Sequence, residues 1–446
     1  MIPIYPTQFG KVHREGILKS RPKLLFLAWH FPPAKAAACV RTWNIPKYLA
    51  RLGWDVTVVT PHPRILRNVE KVEELDDTLS YEGIKRILTG HRLRFLMPGH
   101  LKCWNEGIGW FTGGICRRIA RYLDIDNGIG WIEAAERSCF DLTSKDVDMI
   151  LATGSPFAAF RLAERLSERF DCPYVLDYRD PWTGNPHAIR PPRPATIREE
   201  ARLLAGSAAV TIVSPSWALA MDNRFNLGPK LHVVTNGYDP EELTGVQPHD
   251  FGHFAIVYTG SFYPPKRVIS PVMAALKRLK ETVDSKSPEW YFHYFGGGVN
   301  HVREEARRFG VMERVVLHGG VPRAEALSAV RGAGVAVVIT SVTNSTTMED
   351  NGIMTGKIFE ALGLETPILL VAPSGSDAES IAETTELVQS FTGDEVEGMA
   401  SFLKDMMLGR VLQPKDVDAY SWTNIARKLD TVLRKAVSCK CNVQQE

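Results

Sequence analysis

The stretch SVTNSTTMEDNGIMTGKIFEALGLETPILLV (341–371) pairs residue types with more chemical content than any other part of the chain. Lys357 and Glu360 stand three apart, so a helix places both on one face within a single turn. An ionised carboxylate accepts hydrogen bonds from two vicinal hydroxyls at once, which makes Glu360 a candidate ribose ligand. Thr355 and Gly356 stand where that helix would begin, and free backbone N–H groups at a helix N-terminus bind phosphate. Taken alone, the two charges read more readily as an ordinary surface i,i+3 ion pair. In VYTGSFYPPKRV (257–268), Lys266 and Arg267 fall at an apparent helix start, after Gly260 and Ser261. A cation there opposes the helix dipole unless an anion is near. A phosphate and a solvated surface pair explain it equally.

Two other loops have the composition for close approach to a ligand. FGGGVNHVREEARRFG (295–310) sets three glycines, Gly298 the last, between a strand and a helix. It falls short of G-x-G-x-x-G, and the chain has no G-x-x-x-x-G-K-[ST] loop, so a structural turn competes with a nucleotide contact. In HFPPAKAAACVRTWNIPKYL (30–49), Pro32 and Pro33 stiffen the turn, and Ala36, Ala37 and Ala38 leave room for backbone approach before the helix. A tight strand–helix turn with no ligand accounts for them too.

These loops need a scaffold, and the rest of the chain supplies its pattern. Short apolar runs at 23–29, 55–60, 148–153, 174–178, 208–214 and 231–236 alternate with helix-like segments. The rhythm repeats at 254–260, 291–297, 314–319, 335–340 and 367–372. Continuous β-branched runs indicate strands covered on both faces, and alternation with helices indicates doubly wound parallel sheets. In such sheets ligands bind beyond the carboxyl ends of the strands, which favours the loops just described. The turn-rich stretch TNGYDPEELTGVQPHDFGH (235–253) divides the chain. We expect an α/β protein of two Rossmann-like doubly wound domains facing a cleft: 1–240, 241–419, and a C-terminal helix with polar tail, 420–446, packing back toward the N-terminal domain.

Length and composition bound the class. The chain has 446 residues, and domains run to roughly 100–200, so two or three domains are expected. A formal charge of +2 argues against nucleic acid as a partner. Seven scattered cysteines indicate reduced thiols rather than a disulfide framework or structural zinc. The N-terminus lacks a secretory apolar run, and no apolar stretch reaches about 18 residues, so no membrane span is expected. One region departs from the neutral average. Lys85, Arg86, Arg92, Arg94, Lys102, Arg117, Arg118 and Arg121 face only Glu106, with Trp104, Trp110 and Phe111 interleaved. Basic heads with interfacial aromatics suit an anionic lipid surface, while a solvated loop packing its aromatics inward is the competing reading.

Taken together, LAWHFPPAKAAACVRTWNIPKYLARLGWDVTVVT, YVLDYRDPWTGNP, VTNGYD, LHGGVPRAEALSAVRGAGVAVV and TGKIFEALGLETPILL resemble, in order and spacing, the retaining GT-B glycosyltransferases of family 4. The likeness runs over residues 23–437 and is greatest to the bacterial polysaccharide and lipopolysaccharide group. The resemblance implies the GT-B architecture and a UDP- or GDP-linked nucleotide-sugar donor. It implies transfer to a hydroxyl of a glycan, lipid-linked in that group, with retention of configuration and without metal or cofactor. Lys266 would meet the donor diphosphate, Glu360 the ribose, Thr355 and its neighbours the phosphates, and Val321 the base, with Ala36–Ala38 facing the donor. Asp180 in DYRDPW is the candidate acid near the acceptor, or an Asx-turn partner of Pro181. His30 is a candidate sugar contact or a loop cap. The pattern is broken where Gly352 replaces the first acidic residue of the motif, with Glu349 or Asp350 as substitutes, and where Thr153 replaces a histidine. The basic segment would then dock a cytoplasmic enzyme onto the inner face of the membrane. The rival readings are a sugar-nucleotide epimerase of this fold and a nucleotide-sugar binding protein without turnover.

Overall fold

A computed structural model of the protein describes residues 21–34, 38–65, 84–92, 126, 128–188, 190–284, 286–344 and 347–443, with side chains left aside at 64 and 439–443. Two wholly parallel sheets carry the architecture. The first contains β1 (Lys23–Ala28), β2 (Asp55–Pro61), β3 (Lys85–Thr89), β4 (Met149–Gly154), β5 (Tyr174–Tyr178), β6 (Ala209–Ile212) and β7 (Leu231–Val233), in the order β3-β2-β1-β4-β5-β6-β7. The second contains β8 (Phe254–Thr259), β9 (Trp290–Phe295), β10 (Val315–Gly319), β11 (Val335–Ile339), β12 (Ile368–Val371) and β13 (Val388–Phe391), in the order β10-β9-β8-β11-β12-β13. This is the expected doubly wound pair. Central strands such as MILATG and VAVVI are buried throughout because helices cover both faces.

Each sheet reverses direction once, between β1 and β4 in the first and between β8 and β11 in the second. Loops diverge at such a switch and leave a crevice at the carboxyl ends. Those ends feed residues 29–34, 154–157, 260–269, 340–344 and 347–355, which belong to the loops singled out from the sequence.

Two strands escaped the sequence reading. β13 (VQSF) and β3 (KRILT) are edge strands, too polar to stand out as apolar runs. Lys85 and Arg86 therefore open the basic segment as part of a sheet edge rather than a loop. β7 is also shorter than its apolar run. Val234 still donates its N–H to the Ile212 carbonyl at 2.9 Å, but beyond Val233 Arg41 takes the Val234 and Thr235 carbonyls at 3.1 and 3.0 Å and Asn236 Oδ1 at 3.2 Å.

Each sheet has apolar packing on both faces. On one face of the first, Leu24, Phe26, Tyr48 and Trp54 pack against Trp422, Ile425, Leu429 and Leu433 of the helix Trp422–Val443. Burying each of these large side chains is worth about 1.5–3 kcal/mol. The chain thus finishes the second lobe and returns to the first. Trp54 Nε1 donates to Asp430 Oδ1 at 2.6 Å, and Arg434 donates to the Leu52 carbonyl at 2.9 Å. The two passages between lobes run side by side, with Tyr238 and Ser421 paired in a parallel bridge.

Candidate active site

The carboxyl ends of the two sheets enclose a cleft of about 1160 Å³. Its first-lobe wall includes Pro32, Ala34, Val40 and Trp43, and its second-lobe wall Gly260, Ser261, Val321, Lys357 and Glu360. A second chamber of about 480 Å³ shares Val40, Arg323, Lys357 and Glu360 with it and continues past Ala38, Asp180, Thr355 and Gly356. Glu360, Lys357, Thr355, Gly356, Gly260, Ser261, Val321, Ala38 and Asp180 therefore meet in adjoining space between the lobes.

Glu360 lies on the short helix Gly356–Gly363, which begins at Thr355 in extended conformation (φ −122°, ψ 141°). The Thr355 hydroxyl accepts from the Lys357 N–H at a long 3.5 Å. Only 12% of the Glu360 side chain is exposed. Arg323 Nη1 donates to one of its oxygens at 2.7 Å, and Lys357 Nζ reaches the other at 3.4 Å. Burial alone would raise its pKa, but the Lys357 and Arg323 charges outweigh it and hold the carboxyl below its usual value. Glu360 is thus an ionised acceptor at neutral pH.

Arg323, at the start of the helix Arg323–Arg331, also forks onto Glu242 at 2.7 and 3.0 Å. Burial opposes its charge, but the two carboxylates more than offset this and raise its pKa. It was missed from sequence, although a cation at a helix start was the very signal applied to Lys266. The segment Asp239–Glu242 also accepts from the first lobe: Lys47 reaches Asp239 at 2.7 Å and Glu241 at 2.9 Å.

Lys266 occupies a bridging position. Its Nζ donates to the Pro186 carbonyl of the first lobe at 2.9 Å and pairs with Asp350. Of the two neighbours it is Arg267, not Lys266, that lines the chamber. Of the three glycines in FGGG, Gly296 lines the main cleft, where an added Cβ would collide with the Gly260 carbonyl. Gly298 lies away from it, packed against Phe262, with its N–H donating to Tyr294 Oη at 2.7 Å. Close backbone and ring packing thus requires glycine at both positions, and Gly296 alone of the two lines the cleft.

The broken positions of the motif now have physical causes. A Cβ at Gly352 would enter the indole of Trp217, which crosses from the first lobe and donates Nε1 to the Glu349 carbonyl at 2.7 Å. No side chain fits there. Asp350 is engaged by Lys266. The Thr153 hydroxyl donates to Asp177 at 2.8 Å, inside the first lobe. Asp177 is fully buried and also receives Arg41 at 2.6 and 3.0 Å and Thr211 at 2.7 Å. Burial pushes the Asp177 carboxyl up, yet the Arg41 charge and these hydrogen bonds leave it below its ordinary range.

In the first lobe, Ala38 lines the second chamber, while Ala36 and Ala37 lie outside the described residues. Asp180 lies 3.4 Å from the Arg179 guanidinium with 44% of its side chain exposed. Burial, then the Arg179 charge, pushes the His30 pKa down to about 4, so the imidazole is neutral at pH 7. Arg92 pairs with Glu133 across the surface. Arg94, Trp104, Trp110, Arg117 and Arg118 lie outside the described residues. Among the described residues no helix is long and apolar enough to cross a membrane.

Residues 38–237 match the glycosyl transferase 4-like domain family. A search of curated protein sequences returns no match. Solved structures share the whole architecture. Sucrose-phosphate synthase from Thermosynechococcus elongatus aligns with TM-score 0.60 at 14% identity, over 95% of this chain and 98% of that one. Anabaena HepE in complex with UDP-glucose aligns with TM-score 0.55 at 14% identity, over 94% and 99%. The lipopolysaccharide outer core galactosyltransferase WaaB aligns with TM-score 0.55 at 10% identity, over 93% and 99%. Such distant identities speak for the fold alone. The protein has the two-lobed GT-B fold, and within it residues 38–237 match the model of the glycosyl transferase 4-like domain.

Proposed function

We propose that the protein is a glycosyltransferase that moves a sugar from a UDP- or GDP-linked donor to a hydroxyl of a glycan acceptor, with retention. The observation that carries this reading is Glu360: an ionised, nearly buried carboxylate one turn into a helix that opens on a cleft shared by both lobes. The ribose diol would donate to Glu360 in place of Arg323 and Lys357, which can swing to the phosphates. The diphosphate would lie at the N-terminus of Gly356–Gly363, near Lys357 and Arg267. Charge builds up there as the donor bond breaks, so cations and backbone N–H groups held in advance favour the transition state. The acceptor oxygen bonds the anomeric carbon as the carbon–phosphate-oxygen bond breaks on the same face. The acceptor proton passes to the departing phosphate oxygen. Closure of the lobes would orient both partners and exclude water.

Anabaena HepE, which shares the fold, binds UDP-glucose, and WaaB is a galactosyltransferase of the lipopolysaccharide outer core. The first supports a nucleotide-sugar donor and the second a role in building a lipopolysaccharide-type glycan. A lipid-linked acceptor at an anionic membrane surface fits the basic segment from Lys85 to Arg121. Neutralising Arg92, Arg94, Arg117 and Arg118 should then abolish salt-sensitive partitioning onto anionic liposomes. A thermal-shift panel of UDP- and GDP-sugars tests the donor site, and radiolabelled product analysis separates transfer from epimerisation and from binding alone. A well-folded protein that binds no nucleotide-sugar would refute the proposal.

A further inference from the structure

His249, His253, His293 and His318 gather around one strand of the second sheet. Along β9, Trp290, Phe292 and Tyr294 fill the core beneath one face, which turns His293 and Phe295 to the other. His293 is 4% exposed, and both its ring nitrogens are engaged. Its Nε2 lies 2.9 Å from His253 Nε2 and its Nδ1 lies 3.0 Å from His318 Nε2, with ring planes 13° and 23° apart. Phe251 covers His293 at 4.4 Å between ring centres, and His249 packs against Phe251 at the same distance.

His318 is where this array meets the cleft. β10 pairs Leu317 with Tyr294 and Gly319 with Phe295, so His318 is the extra residue of a β-bulge. A bulge re-aims a side chain. Here it lays the His318 ring flat on Phe295, with 4.0 Å between centres and 6° between planes. Gly319, at φ +76°, then gives its carbonyl to the Gly296 N–H at 2.7 Å. Phe295, Gly296, Gly320 and Val321 all line the cleft, so the bulge sets one of its walls.

Nitrogen arithmetic limits what the array tolerates. A neutral imidazole has one N–H and one bare nitrogen, so His293 donates to one neighbour and accepts from the other. A proton added at one end, His253 or His318, leaves both contacts intact, with at most a reversal of direction. Protons at both ends put a donor on each side of His293, which cannot accept at both nitrogens. One contact must then open. His293 itself resists protonation: burial, then the charges of His318, His253 and His249, hold its pKa down to about 4. Burial also lowers the pKa of His318, against the Glu325 carboxylate of the helix Arg323–Arg331. The other charges at this face are turned elsewhere. Glu289 accepts from the Tyr291 hydroxyl at 2.8 Å, Arg314 lies over the Tyr291 ring, and Asp250 accepts from the Gly252 N–H at 3.0 Å.

We propose that His318 is a positioning residue for the donor cleft, and that the histidine array makes its hold on that wall sensitive to acid. With the array whole, the bulge fixes Gly296 and the backbone running to Val321. With both ends protonated, it releases them. His293 and His318 are neutral above about pH 6.5, and as pH falls from there toward 4 the opened form takes up protons first, so donor affinity declines. The inference rests on the donor reading for the ligand and on the bulge alone for the wall.

The test is calorimetry on the full chain at about pH 7.5 and about pH 5, with UDP-glucose or the GDP-sugar that the thermal-shift panel selects. A sugar diphosphate diester keeps its charge over this range, so a change in affinity belongs to the protein. The wild type should bind about tenfold more weakly at the lower pH, the worth of one hydrogen bond lost behind the wall. His318→Phe keeps a ring on Phe295 but takes no proton, and should flatten that slope. His318→Ala removes the ring and should bind about tenfold more weakly at both pH values. His232→Gln, on β7 of the first lobe, should keep the wild-type slope. A flat wild type, a wild-type slope in His318→Phe, a lost slope in His232→Gln, or full affinity in His318→Ala at the higher pH overturns the proposal. Hydrogen exchange of the Gly296 amide, measured against the amides of β11, reads the wall directly. Its protection should fall in acid for the wild type and hold for His318→Phe. If no nucleotide-sugar binds, the donor reading fails separately, and a Gly296 amide indifferent to acid overturns the array by itself.

Discussion

Replacing Glu360 by Gln separates its role in binding from its role in folding. The substitution keeps shape and one acceptor oxygen but removes the charge. Its cost to stability should be small. Arg323 keeps its fork on Glu242, and both Lys357 and Arg323 are more than a third exposed, so solvent screens their loss. Pairs whose cation is open to solvent in this way contribute about 1 kcal/mol. The cost to nucleotide binding should be much larger. Two ribose hydroxyls would give up hydrogen bonds to a charged acceptor, each worth about 1.5–3 kcal/mol. Releasing Arg323 and Lys357 offsets part of that, which leaves about 2–3 kcal/mol, or roughly 30–150-fold in Kd. Calorimetry with the nucleoside diphosphate measures it, with a thermal melt as control. A deoxynucleotide lacking one ribose hydroxyl should lose affinity on the wild type and very little on Glu360→Gln. Equal affinity of the two proteins for the intact nucleotide, with unchanged melting, would refute the ribose assignment.

Other residues make independent predictions. Gly352→Glu should lower stability by about 1–3 kcal/mol through overpacking against Trp217, visible as a lower Tm, and Trp217→Ala should relieve much of it. If Gly352→Glu melts like the wild type, the indole does not block the position. Asp177→Asn leaves Arg41 buried without its counter-charge and should cost about 3–5 kcal/mol in urea denaturation. A loss below about 1 kcal/mol would show that the pair is not the fastener between the helix Cys39–Arg51 and the chain after β7. His30 has a folded pKa of about 4 against an unfolded value near 6.5. Above about pH 6.5 it is neutral in both states and has no effect. As pH falls from 6.5 toward 4 the unfolded state takes up the proton first, so stability declines, and His30→Gln should flatten that slope. Identical pH slopes for both proteins would contradict a buried neutral imidazole.

How much could be read in advance depended on the kind of signal. Central strands such as FAIVYTG stand out because burial on both faces demands unbroken apolar runs. Edge strands such as KRILT do not, because solvent lets polar residues in. The spacing of Lys357 and Glu360 follows from helix geometry alone, and the structure brings them onto one wall of the cleft. Arg323 and Glu242 lie 81 residues apart, and nothing local joins them. The same holds for Trp217, which lies far along the chain from the glycine it covers.

Local rules thus determined the doubly wound class, the strand order along the chain and the loops at which chemistry is possible. Periodicity, turn composition and helix spacing act over a few residues and need no partner. Tertiary structure decided which charges remain available. It placed Asp350 on Lys266 and Asp177 on Arg41, turned Thr153 inward, and left Arg267 facing the chamber. A charge is set by what lies within a few ångströms in space, and in a two-lobed protein those neighbours come from opposite ends of the chain.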